Sequence, residues 1–330
     1  MLVSIIVITY NSSKYVLDTL RSVIAQTYKN IELIVSDDCS SDNTLALCSN
    51  WIEEHKGRFF RAQITRTPQN LGICGNYNHA RRLAQGDWIK YIAGDDMLKP
   101  DCVERFVANI QPDIDLYFSD AVRQKASASI ANKESQTYQF DTEYQTITET
   151  STSQDTTEPS STRPEIWHSP LRNTDVKHQL GQMLRYHPMI PGPAIFVNRK
   201  ALDEVNGFDE RFPMSEDYPI VMRFLTHGKP VRIIEEPLVI WRTHSESVSV
   251  NYTTSGFSQS VKDSVLYYTK KYCPRFSLFG IHYHEWLTIW IREHQNTPLH
   301  HYLGYFLRCF DLINLKRKIF PAPKWVEIRH

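Results

Sequence analysis

Through residues 1–120 the chain alternates short apolar, β-branched runs with stretches of helical periodicity, and few architectures accept that alternation. Val3–Ile8, Ile31–Ser36, Phe59–Thr65, Trp88–Ala93 and Ile114–Ser119 have the length and composition of buried strands. Between the first two, Ser12 or Ser13 is placed to cap a helix whose Val16, Leu17, Leu20, Val23 and Ile24 share one face. Ser41 or Asp42 is placed to cap a second helix, which turns Leu45, Cys48, Trp51 and Ile52 inward. A third runs through Tyr77, Ala80 and Leu83 to a stop near Gly86, and Pro100 opens a fourth. Strands joined through helices need right-handed crossovers, so the expected fold is α/β: a mostly parallel sheet with helices on both faces. Such sheets bind ligands beyond the carboxyl ends of their strands.

Those ends are polar. Thr9-Tyr10-Asn11 follows the first strand, Asp37-Asp38 the second and Asp95-Asp96 the fourth. Each cluster alone has an ordinary explanation, and the stretch Asp37–Asp42 is good turn and cap chemistry without any ligand. Three clusters at separate strand ends instead converge on one edge of the sheet. The Asp95-Asp96 pair suits a hard cation, because Mg²⁺ or Mn²⁺ takes one or two protein carboxylates together with substrate phosphate oxygens. Without a cation the two carboxylates repel, and one of them holds its proton longer. Gly94 lets the backbone bend tightly just before the pair.

The runs Ser4–Asn11 and Ile31–Asp42, with Asp95-Asp96 at matching spacing, resemble the family 2 glycosyltransferases of the GT-A fold. So do Asn70-Leu71-Gly72, Gly86-Asp87-Trp88-Ile89 and Gly207-Phe208-Asp209-Glu210, and the resemblance covers roughly residues 1–250. It implies a Rossmann-like, mostly parallel mixed sheet, a nucleoside-diphosphate sugar donor (UDP favoured), and a divalent cation, Mg²⁺ or Mn²⁺. Thr9, Tyr10 and Asp38 would then cradle base and ribose, with Asn11 and Asn70 beside the donor and Asp95 at the ribose. Asp96 would ligate the cation, and the loop from Asn70 to Asn78 would close over the nucleotide. Relatives carry small residues after Asn-Leu-Gly, where this chain has Ile73-Cys74-Gly75-Asn76-Tyr77.

The same resemblance assigns Glu216-Asp217 to the acidic pair ahead of the acceptor helix, with Asp217 as general base and Glu216 on the acceptor side. Read alone, the pair is also favourable charge at a helix N-terminus. The segment Arg242-Thr243-His244-Ser245-Glu246-Ser247 resembles an Arg-x-His-x-x-Ser motif that would bring His244 to the metal or diphosphate and Arg242 to the sugar and phosphate side. Asp120, after the fifth strand, would border the donor sugar or serve as a cap. A sugar hydroxyl is a weak nucleophile, and a positioned carboxylate base typically contributes ~10²–10⁴ in rate. One base opposite one metal-stabilised leaving group implies a single displacement with inversion.

On this reading residues 1–123 are the donor-binding half, 124–165 a polar insertion, 166–255 the acceptor-binding half and 256–330 a helical extension. The insertion is rich in Ser, Thr, Gln and Glu and too poor in apolar residues to bury much surface. It reads as a solvated excursion or as a flap that orders against the acceptor. In the extension, Leu299, Tyr302, Leu303, Phe306, Phe310 and Ile313 line one helical face ahead of Lys316-Arg317-Lys318. That face either packs on the catalytic domain or makes peripheral contact with an anionic membrane; His300, His301, Arg308 and Asp311 break any span. Lys+Arg and Asp+Glu both number 37, so no overall field draws the chain to nucleic acid. Six cysteines without paired metal spacing, and no secretory signal, point to a reduced cytoplasmic setting, with the inner face of the cytoplasmic membrane as the place of any peripheral contact. The expected acceptor is a glycan or lipid-linked saccharide of a cell-surface polysaccharide. The rival classes are a sugar-1-phosphate nucleotidyltransferase and a non-catalytic nucleotide-binding scaffold. Thr9-Tyr10-Asn11-Ser12-Ser13 lacks the Gly-rich, Arg-containing loop of the former.

Overall fold

The computed structural model describes residues 1–125, 145–146, 165–167, 171–172, 174–186, 190–247 and 256–272. There the alternation becomes one ten-stranded mixed sheet flanked by helices. Strands β1 (Val3–Thr9), β2 (Ile31–Asp37), β3 (Arg61–Arg66) and β4 (Trp88–Ala93) run parallel in the order β3-β2-β1-β4. The sheet continues beyond β4 through β5 (Met97–Leu98), β6 (Leu116–Lys125), β7 (Gln145–Thr146), β8 (Glu165–Trp167), β9 (Phe196–Asn198) and β10 (Val231–Thr243). The order there is β4-β9-β6-β10-β5, and β9 is antiparallel to both its neighbours. β10 is parallel to β6, β5 antiparallel to β10, and the β7–β8 pair attaches to β6. The helices are α1 (Val16–Ile24), α2 (Thr44–His55), α3 (Gly72–Arg81), α4 (Cys102–Ala108), α5 (Val176–Tyr186), α6 (Arg199–Glu204), α7 (Asp217–Thr226) and α8 (Phe257–Tyr272). Among the described residues no helix is long and apolar enough to cross a membrane.

The chain divides into two compact units, residues 1–264 and 265–330. The sheet belongs to the first. Of the second, Val265–Tyr272, the end of α8, is described, with Val265 and Tyr268 buried. Most of the polar insertion, and the apolar face Leu299 to Ile313 with its basic end, lie outside the described residues.

Every residue of β1 and β2 is buried, and sequestering a Val, Ile or Leu side chain contributes roughly 1.5–3 kcal/mol, so these strands form the middle of the sheet. Register does the rest. Thr9 lies opposite Asp37, and Ile8 opposite Ala93, so the residues after β1, β2 and β4 emerge side by side.

Local chemistry departs from the sequence expectation at several points. α1 starts at Val16 without a side-chain cap. Ser12 instead receives the Tyr10 N–H at 3.3 Å and donates its own N–H to Thr44 Oγ1 at 2.8 Å, tying two loops together. Asp42 accepts the N–H of Thr44, the first residue of α2, as well as the Ser13 N–H, so it both serves the helix start and ties in the first loop. β3 begins at Arg61, leaving Phe60 on the surface. The expected cover over the nucleotide, Asn70 to Asn78, is for the most part helix α3. Asn76 bonds Ser36 on β2, and Asn78 bonds the Phe208 backbone in both directions, so this stretch is fixed floor rather than a closing loop.

Candidate active site

The first two loops are knitted together by their own polar groups. Thr9 Oγ1 donates to Asp37 at 3.1 Å, and Ser40 Oγ to the same oxygen at 2.5 Å. Asn11, in the left-handed region at φ 49°, donates its N–H to Ser40 Oγ and accepts from the Ser41 N–H. Tyr10 between them is 52% exposed and presents its ring at the rim. Asp38 is buried. Its Oδ1 accepts from Thr67 Oγ1 at 2.8 Å and the Leu71 N–H at 2.9 Å, and its Oδ2 from the Gly72 N–H at 2.9 Å. Asn70 Oδ1 shares the Gly72 N–H. Asp38 and Asn70 therefore anchor the start of α3. A carboxylate has about four acceptor positions, so Asp38 keeps one on Oδ2 for a further donor.

The fourth strand end meets the end of β10. Asp96 Oδ1 accepts the Arg242 N–H at 2.8 Å, and the Arg242 guanidinium donates to the Asp95 carbonyl, to Asp18 at 2.9 Å and to the Tyr15 carbonyl at 3.2 Å. Arg242, with its side chain 5% exposed, thus spends much of its donor capacity inside the protein. His244 Nε2 lies 3.1 Å from Asp95 Oδ2, its ring stacked on Tyr15 at 4.2 Å. Burial first, and the Asp95 charge second, hold the Asp96 carboxyl well above the usual carboxylate range, while Arg242 and Lys90 pull the other way. Tyr15 and Asp18, which hold this corner from the α1 side, went unassigned in the sequence; an aromatic between the β1 loop and the first helix was the available signal.

The second acidic pair opens α7. Asp217 is partly exposed yet densely surrounded, and burial raises its carboxyl to about 6 against donations from the Tyr218, Ile190 and its own N–H groups. Burial, then the Asp217 charge, raises Glu216 to about 8. Glu216 Oε2 is buried and finds no hydrogen-bond partner among the described residues, and Oε1 presses on Gly192, where a Cβ would come within 2.0 Å. The turn ahead of the pair packs on the start of α3. Pro213 O accepts the Cys74 N–H, and Phe212 O lies 3.2 Å from Cys74 Sγ.

Tyr77 on α3 connects the two acidic pairs. Its phenol is raised well above the ordinary range by burial, then by the charges of Glu216 and Asp96, with a further contribution from Asp95. Its ring packs on Tyr91 and Phe208 at 4.5 and 5.1 Å. Asp95, Asp96 and Glu216 therefore all act electrostatically on one side chain, and Asp38 holds the N-terminus of the helix that carries it. Asp120 is fully buried farther along β6, opposite Pro237, with Arg172 at 3.9 Å.

Among the described residues, no group of three or more His, Cys, Asp and Glu side chains is arranged to hold an ion by itself. A hard cation completed by phosphate oxygens needs one or two protein carboxylates, and the perturbed, buried Asp96 beside Asp95 is such a pair. The residues present fit that ion.

Comparison with known proteins bears on the family and the fold. An "Uncharacterized glycosyltransferase" of Haemophilus influenzae is 24% identical over 333 residues, covering 94% of this chain and 93% of that protein. The chondroitin synthase of Escherichia coli is 35% identical over 115 residues, 35% of this chain and 16% of the synthase. The crystal structure of S. aureus TarS 1-349 in complex with UDP-GlcNAc superposes with a TM-score of 0.54 at 16% identity, covering 85% of this chain and 74% of that one, a likeness of fold. Residues 4–181, more than half of the sequence, match the family described as "Glycosyl transferase family 2", and the chain belongs to that family.

Proposed function

We propose that the chain transfers a sugar, with inversion, from a nucleoside diphosphate to a hydroxyl of a glycan or lipid-linked saccharide. UDP is the favoured nucleotide, in line with the UDP-GlcNAc bound by the TarS neighbour, and the name of the chondroitin synthase relative supports a polysaccharide acceptor. The observation that carries the reading is that Asp95-Asp96 and Glu216, from two separate acidic pairs, all act electrostatically on the one buried side chain of Tyr77. One pair faces a leaving group, the other an incoming hydroxyl.

Asp96, with His244, would hold a divalent cation on the diphosphate, which when bound offsets the charge of the departing nucleotide, and Asp95 beside them would reach the ribose. The chain's own residues do the rest. Tyr10 offers a face to the base, and the free acceptor position of Asp38 suits a base or ribose donor. Asp217, ionised above about pH 6, takes the proton of the acceptor hydroxyl as that oxygen attacks the anomeric carbon. Burial raises both carboxyls and the Asp217 charge raises Glu216 further, so the Glu216-Asp217 pair holds one proton to higher pH than free carboxylates do, with Asp217 as the proposed base. The test is a thermal-shift screen of UDP, GDP and their sugars with and without Mn²⁺, since a ligand that binds the folded state raises apparent stability. A Mn²⁺-dependent rise with one nucleotide class is expected, and no rise with any of them overturns the reading.

A further inference from the structure

Lys90 lies in the middle of an apolar strand with no exposed surface. The sheet splits beside it. β9 pairs with β4 along Trp88–Lys90, and then a single turn, Gly192–Ala194, fills the gap. The Lys90 ammonium sits in that gap and donates to three carbonyls, those of Tyr91 at 2.7 Å, Ile195 at 3.3 Å and Pro193. Tyr91 adds its own N–H to Ile195 O at 3.2 Å. The far side of the same segment touches both acceptor-side carboxylates, since Ile190 donates to Asp217 and Gly192 leaves the slot filled by Glu216 Oε1.

We propose that Lys90 is a positioning residue for the acceptor-side acidic pair: its buried ammonium clamps the 190–195 segment, and that segment sets where Glu216 and Asp217 stand. An ammonium supplies three donors to three carbonyls, a match that neither an apolar side chain nor a neutral amide reproduces. The proposal rests on the glycosyltransferase reading for its consequence, and not for the clamp itself.

Three measurements on the full chain separate the clamp from its consequence. Hydrogen exchange of Lys90→Met should show at least ~10-fold faster exchange in peptides spanning 190–195, with peptides around Asp38 and Leu71 unchanged. With UDP-GlcNAc and Mn²⁺ as the probe, donor affinity by calorimetry should stay within about twofold. Slow hydrolysis of the same donor to UDP should fall ~10-fold or more as the base loses its place. Lys90→Gln, which keeps part of the donor set, should fall between wild type and Lys90→Met, and serves where the methionine variant does not fold. Gly192→Ala leaves the carbonyl cage intact but drives a methyl into Glu216, and should reproduce the kinetic defect without the exchange defect. Unchanged exchange at 190–195, a parallel loss of donor affinity, or full hydrolysis by Gly192→Ala would each overturn the proposal. Failure of the wild type to bind any nucleotide of the thermal-shift screen would overturn the proposed function, while the exchange result would still decide the clamp.

Discussion

Asp217→Asn should make the protein more stable and far less active. Burial raises the Asp217 carboxyl from 3.8 to about 6, so the folded chain binds a proton that the unfolded chain has released. The stability this group contributes is complete below its unfolded value and is lost as pH climbs from near 4 through 6; above that the folded state carries a strained charge. At ~1.4 kcal/mol per pH unit the strain is at most ~3 kcal/mol, and solvent reaching the partly exposed carboxylate trims it to ~1–3 kcal/mol. Asparagine keeps the shape and removes the charge. Thermal unfolding at pH 8 should therefore place the variant roughly 2–10 °C above wild type, with the gap closing by about pH 4. Turnover should fall by ~10²–10⁴ with donor affinity intact, the loss expected of a missing base. Wild-type turnover should itself drop below pH 6, where at pH 5 about a tenth of the base stays ionised. A variant that is less stable at every pH, or a stability gap indifferent to pH, would refute the reasoning, because no strained carboxylate would then be present.

Asp96→Ala should abolish the Mn²⁺ dependence of nucleoside diphosphate binding; calorimetry that returns the wild-type affinity with and without Mn²⁺ would remove Asp96 from the site. Asp38→Ala leaves the Leu71 N–H without its acceptor and removes one acceptor from the Thr67 hydroxyl, which also reaches Gln69 O, and one from the Gly72 N–H, which Asn70 shares. The expected loss is ~2–4 kcal/mol, read as a lower urea midpoint at constant slope, and a loss under ~1 kcal/mol would mean that α3 does not depend on this anchor. Tyr15→Leu removes the ring stacked on His244 and should weaken the apparent Mn²⁺ affinity measured with UDP by ~10-fold. An unaltered Mn²⁺ requirement would show that the stacking does not orient the imidazole.

How much of this was legible in the sequence depends on the range over which each feature is decided. β1, β2 and β4 are legible to within a residue or so, because a compact apolar run carries its boundaries locally. The polar clusters could be placed on one edge because parallel strands joined by right-handed crossovers leave their carboxyl ends together. Caps fared worse. Ser12 has the chemistry to start a helix, yet its N–H finds Thr44, 32 positions away, a partner that no local pattern reveals, while Asp42 serves the first N–H of α2 and also reaches back to Ser13. α3 shows the same limit: Gly72 reads as a loop glycine until Asp38 and Asn70 supply acceptors for its N–H.

Lys90 is the sharpest case, since within an apolar run a lysine ordinarily marks the solvent side of a strand. Its acceptors Pro193 and Ile195 stand 103 and 105 positions later. They reach it because β9 inserts between β4 and β6 and the chain then breaks from the ladder at the turn Gly192–Ala194. An antiparallel strand that pairs for three residues and stops leaves carbonyl lone pairs without ladder donors, and the buried Lys90 ammonium donates to Pro193 and Ile195 there and to Tyr91 on β4. That break in the ladder also turns Ile190 and Gly192 toward Asp217 and Glu216. The irregularity that hid Lys90 from the sequence pattern is thus the feature that brings the donor-side sheet and the acceptor-side carboxylates into one site.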